Sequence, residues 1–92
     1  MNKPNGKVFF DVDYMGHNIK VLNTWKHCSL IIDDVVNDTY KSVIAFNFTL
    51  KGTIVLENET VEIAFEFRNG FPRAKLLLSA NGQPIATGKI FM

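Results

Sequence analysis

Cysteine is almost absent from this chain. Cys28 is the single one, so no disulfide can form within a molecule, and the small secreted scaffold stapled by several bridges is excluded. A lone thiol suits a reducing compartment. Charge of one sign is also missing: Lys plus Arg number 10 and Asp plus Glu 9, a formal net charge of +1. That balance argues against a nucleic-acid or acidic-membrane surface. Long apolar runs are lacking too. The longest, such as Val43–Phe46 and Leu76–Leu78, fall far short of the roughly 18–20 residues that cross a bilayer as a helix. The opening Met1-Asn2-Lys3-Pro4-Asn5-Gly6-Lys7 has no apolar stretch of the signal-peptide kind, so the sequence predicts a soluble, cytoplasmic protein.

Glycine is sparse and scattered, at positions 6, 16, 52, 70, 82 and 88, which rules out a glycine-rich phosphate loop. There is no Gly-X-Ser-X-Gly elbow and no Cys-X-X-Cys pair. No cofactor motif is present, and no 11-residue window carries a helical apolar stripe; a single helical turn near Val36–Lys41 is the one helix signal.

What the chain does have is apolar content, 47% with eight Phe among 92 residues, arranged with period two. That is enough for one core, and the expected organisation is a flexible segment 1–6 followed by a single domain over 7–92. Val8, Phe10, Val12 and Tyr14 alternate with Asp11 and Asp13, and Ile19 and Val21 flank Lys20. Met15-Gly16 between them reads as a hairpin turn. Cys28–Ile32 is a short strand closed by the turn-forming Asp33-Asp34, after which Val35-Val36 extends the ladder.

Further along, Ser42–Leu50 alternates again, and Gly52 predicts a bulge or bend before Thr53–Leu56. Thr60–Phe67 is the clearest strand, with Val61, Ile63, Phe65 and Phe67 on one face. Asn69-Gly70 is a turn signal that Phe71-Pro72 lengthens into a loop. Asn81-Gly82 is a second hairpin turn, leading into Gln83–Met92, where Pro84 argues for a sheet edge. Seven or eight short strands at this spacing predict an all-β fold, a single antiparallel β-sandwich or flattened barrel. Cys28–Asp34 and Ala74–Asn81 echo one another, each an apolar strand ending in an Asp or Asn turn.

The stretches FDVDYMGHNIKVLNTW, SLIIDD, FTLKGTI and ANGQPI resemble the pattern of small uncharacterised bacterial all-β proteins. An apolar strand closing on Asp33 or on Asn81-Gly82 is also similar to the repeated β-units of the Fas apoptotic inhibitory molecule family. Both likenesses imply an all-β fold, and neither brings a catalytic motif.

Few residues point to chemistry. Asp11 and Asp13 share a strand face about 6.5–7 Å apart, a spacing that could serve a divalent cation or an acid–base pair, but without the Gly and further oxygen ligands of a calcium loop the expected reading is a solvated polar face. With His17 they are the only enzyme candidates the sequence nominates. His27 and Cys28 are neighbours on a strand, so they point to opposite faces and do not form a Cys–His pair. The triplets at Asn37, Asn47 and Asn58 match the glycan-acceptor pattern, yet Asn and Thr also fit turns and strands. Aromatics bordered by Lys7, Lys20, Lys26, Arg73, Lys75 and Lys89 raise single-stranded oligonucleotide binding, which the charge balance disfavours.

Leu22, Ile31, Leu77 and Phe91 fall on the face opposite the expected core, so something must cover that second face. The leading expectation is therefore a non-enzymatic interaction module whose contact residues are Trp25, Phe71 and Phe91, binding a protein partner or self-associating as a homodimer. The alternative is a small β-barrel holding an apolar ligand in its core. No cofactor and no metal are expected.

Overall fold

Two-residue turns decide this architecture. In the computed structural model, which describes residues 6–24, 26–41, 47–70 and 73–91 (90 and 91 by main chain alone), all regular structure is strand. The strands are β1 (Gly6–Tyr14), β2 (His17–Thr24), β3 (His27–Ile32), β4 (Val35–Lys41), β5 (Phe48–Val55), β6 (Thr60–Arg68), β7 (Arg73–Ala80) and β8 (Gln83–Phe91). They form two four-stranded antiparallel sheets, each a simple meander, in the orders β1-β2-β3-β4 and β5-β6-β7-β8.

Three connections are tight hairpins. Met15-Gly16, Asp33-Asp34 and Asn81-Gly82 all take positive φ at both turn residues, the mirror-image turn whose twist matches that of the flanking strands. Asp33-Asp34 does this without glycine, which an L-residue accepts only at a cost.

The core is a single cluster drawn from both sheets. Ile19, Val21, Leu30, Ile63, Phe65 and Leu78 are fully buried, as the period-two pattern requires. Phe65 is the centre: its ring lies 6.2 Å from Phe9 and 6.0 Å from Phe10 of β1, and 6.1 Å from Phe48 of β5. The contacts with Phe9 and Phe10 tie one sheet to the other, while Phe48 packs beside Phe65 within the second sheet.

Several local expectations change. The helical turn near Val36–Lys41 is instead β4, because Val35, Val36, Thr39 and Tyr40 favour extended chain and pair with β3. The irregularity there is a bulge at Asn37, between Leu30↔Asp38 and Ile31↔Val36. Gly52 makes no bulge: β5 runs in unbroken register through Lys51↔Ala64, Gly52↔Ile63 and Thr53↔Glu62. Gly6 belongs to β1, paired with Thr24. A bulge at Phe9 takes Val8 out of the inward row, leaving it 48% exposed. Residues 42–46 of the expected strand Ser42–Leu50 lie outside the described residues. Pro84 does sit on an edge strand, β8.

Candidate functional site

The first candidate lies at the end of the first sheet. His17 opens β2 just after the Met15-Gly16 turn, and Asp33 opens the turn after β3. His17 Nδ1 donates to Asp33 Oδ2 at 2.6 Å, and the Asn18 N–H donates to Asp33 Oδ1 at 2.9 Å. The Asp33 N–H returns a bond to the Asn18 carbonyl at 2.9 Å. The His17 bond and then the Asn18 N–H hold the Asp33 carboxyl below the usual carboxylate range. Asn18 also reaches across the outer face, its Nδ2 donating to Asp11 Oδ1 at 2.7 Å and to Asp13 Oδ1 at 3.2 Å.

This answers the question of Asp11, Asp13 and His17. Asp11 and Asp13 do meet, through the amide of Asn18, whereas His17 turns to Asp33. His17 and Asp33 side chains remain 30% and 49% exposed, so the pair is a surface staple on two adjoining hairpins. Among the described residues no group of three or more His, Cys, Asp or Glu is placed to hold a metal ion.

The second candidate is the outer face of β6-β7-β8. Register places Glu66, Leu77 and Thr87 in one row and Arg68, Lys75 and Lys89 in the next. These side chains surround an open depression of about 400 Å³ with Leu77 half-buried in it. Arg68 folds back onto Glu66 at 2.8 Å, leaving the ammonium groups of Lys75 and Lys89 at the exposed rim. At the matching rows of the first sheet stand Leu22, Ser29 and Thr39, where the Ser29 and Thr39 hydroxyls pair at 3.1 Å, and Thr24, His27 and Lys41.

Of the expected contact residues, Trp25 and Phe71 lie outside the described residues. Phe91 ends β8 opposite Arg73, two positions beyond Lys89. His27 takes a role the sequence did not suggest: Thr24 Oγ1 accepts from its N–H at 3.1 Å and donates to its carbonyl at 3.0 Å, closing the β2–β3 connection. Cys28 points the other way into the core, where burial pushes its thiol up to about 12. The described residues contain no helix long and apolar enough to cross a membrane.

Asn18 as a bridge and Asp33 as the partner of His17 were missed in the sequence because both contacts run between strands. The legible signal was narrower: Asp or Asn at the first position of a mirror-image turn.

No family model, curated protein or solved structure matches the chain.

Proposed function

We propose that the chain is a non-enzymatic, cytoplasmic interaction module that binds a protein partner through the outer face of β6-β7-β8. One observation carries the reading: an apolar residue, Leu77, half-buried in an open depression with Arg68, Lys75 and Lys89 in the neighbouring register row. A sheet face that is both apolar and cationic favours a partner segment presenting an apolar side chain flanked by carboxylates. The position of Phe91 beyond Lys89 extends the same edge of that face.

A titration of ¹⁵N-labelled protein with the peptides Ac-Glu-Leu-Glu-Leu-Glu-NH₂ and Ac-Lys-Leu-Lys-Leu-Lys-NH₂ tests it. The acidic peptide is expected to move the amides of Glu66, Leu77, Thr87 and Lys89. Lys75→Glu with Lys89→Glu should weaken that binding by about tenfold or more, and added salt should weaken it further. Shifts spread evenly over both sheets, or none, would contradict the reading. Sedimentation of the free protein decides whether a second copy is the partner.

A further inference from the structure

The two sheets repeat one another in register. The pairs Ile19↔Ile32, Val21↔Leu30 and Asn23↔Cys28 correspond to Ile63↔Ala80, Phe65↔Leu78 and Phe67↔Leu76. The bulge after Leu30 recurs after Leu78, with Ile85 in the place of Asn37. The turn device recurs as well. Asp33 bonds the main chain of Asn18 in both directions, and Asn81 does the same to Glu62: the Glu62 N–H donates to Asn81 Oδ1 at 2.8 Å, and the Asn81 N–H donates to the Glu62 carbonyl at 2.8 Å. In this correspondence the counterpart of the β4–β5 neighbourhood is β8 and β1, but these two edge strands make hardly any main-chain contact. What reaches across is the ring of Phe10, whose Cζ would lie 3.8 Å from a Cβ built on Gly88.

The β4–β5 seam is closed by side chains. The Lys51 N–H donates to Asp38 Oδ2 at 2.9 Å and the Thr53 N–H to Asn37 Oδ1 at 3.3 Å. Tyr40 stacks on Phe48 with ring centroids 4.1 Å apart and planes 1° from parallel. Gly52 leaves room for Asn37 to reach in: a Cβ there would meet Asn37 Oδ1 at 2.9 Å.

Among the described residues the edge of β1 has none of these parts. Ile85, Ala86 and Gly88 stand where Asn37, Asp38 and Tyr40 stand, and Lys7 and Val12 replace Phe48 and Gly52. Asp11 and Asp13 occupy the places of Lys51 and Thr53. Their main-chain direction follows independently from the hairpin. Tyr14 and His17 flank a two-residue turn and are a bonded pair, so Val12↔Ile19 is bonded too. The alternating N–H and C=O groups of Asp11 and Asp13 then point away from β2, and among the described residues no side chain caps them. Among the described residues, then, one edge is sealed and its equivalent is open.

We infer that the open edge of β1, from Asp11 to Asp13, accepts an extended segment of a protein partner by strand addition, and that this segment carries Lys or Arg beside the two carboxylates. Strand addition supplies main-chain hydrogen bonds for affinity and alternate side chains for selectivity. Here the selective element is charge. Asp11 and Asp13 each spend only Oδ1 on Asn18, and opposite charges on neighbouring strands stabilise pairing. A second copy pairing through the same two residues would set one carboxylate against another, which disfavours self-pairing here. The site lies on a different sheet from the β6-β7-β8 face and takes the opposite charge, so either surface can fail without the other.

The test uses the ¹⁵N-labelled full chain with Ac-Lys-Val-Lys-Val-Lys-NH₂ and its Glu counterpart. The basic peptide is expected to shift the Asp11 and Asp13 amides and slow their exchange by about tenfold at saturation. Methylating alternate peptide nitrogens should abolish the effect. Asp11→Asn with Asp13→Asn should weaken binding by about fivefold or more while leaving the spectrum of the core intact. Asp13→Pro, which removes only an outward N–H at an edge position, should weaken it as well. The inference is overturned if the basic peptide leaves Asp11 and Asp13 unmoved, if the N-methylated peptide binds equally well, or if these amides are protected only by dimerisation of the chain.

Discussion

Gly52→Ala probes the sealed seam at its tightest point. A Cβ at position 52 would lie 2.8 Å from Ile32 Cδ1, 2.9 Å from Asn37 Oδ1 and 3.0 Å from Asn37 Cβ. Ile32 can swing its terminal methyl aside. Asn37 cannot move without withdrawing the oxygen that accepts from the Thr53 N–H. Overpacking of this kind costs about 1–3 kcal/mol. Loss of the hydrogen bond at a solvated edge adds about 0.5–1 kcal/mol, and removing a strand-interior glycine returns about 0.5–1 kcal/mol. The last two offset each other, so the net expectation is a destabilisation of about 1–3 kcal/mol, which lowers Tm by roughly 5–20 °C in a domain of this size. Urea unfolding of Gly52→Ala, Asn37→Ala and the double variant measures it. Asn37→Ala removes the Oδ1 clash, so the double variant should lose about 0.5–1 kcal/mol less than the sum of the singles. A neutral or stabilising Gly52→Ala, or strictly additive losses, would refute the reasoning.

Other expectations follow from single observations. Asp34 holds φ at 65° in a turn that favours glycine there, so Asp34→Gly should raise stability by about 0.5–1 kcal/mol in the same unfolding assay. The folded-state pKa of Asp33 is lowered, so its ionisation favours folding above the ordinary Asp range, and that contribution is lost as pH falls through the lowered value. His17→Ala removes the largest cause; carboxyl NMR should then show Asp33 titrating closer to an ordinary Asp, and an unchanged midpoint would contradict the assignment. Cys28, buried and with its thiol raised to about 12, should resist a thiol reagent until the protein unfolds, and rapid labelling of folded protein would contradict its placement.

The fold was legible where local chemistry and periodicity agree. Val61, Ile63, Phe65 and Phe67 alternate with polar or small residues and are all buried. Asn81-Gly82 and Asp33-Asp34 are turns because Asn and Asp tolerate left-handed backbone and bond it with their side chains. The echo between Cys28–Asp34 and Ala74–Asn81 proved to be the visible part of a register shared by both sheets.

What stayed hidden depends on contacts between strands far apart in sequence. Gly52 read as a bend, but its purpose is to admit Asn37 from the other sheet. The bulges at Phe9, Asn37 and Ile85 leave no mark in composition, since each adds one ordinary residue to an otherwise alternating strand. The cationic row Arg68, Lys75 and Lys89 could not be drawn until register aligned three strands. Asp11, Asp13 and His17, nominated together from the sequence, are sorted by strand pairing into two different contacts.

Amide hydrogen exchange in the free protein measures the unequal edges directly, by comparing Lys51 and Thr53 with Asp11 and Asp13. The side-chain seal predicts protection of Lys51 and Thr53, whereas Asp11 and Asp13 exchange at close to free-peptide rates. Equal protection at the two equivalent edges, or protection of Asp11 and Asp13 in the monomer, would contradict the account.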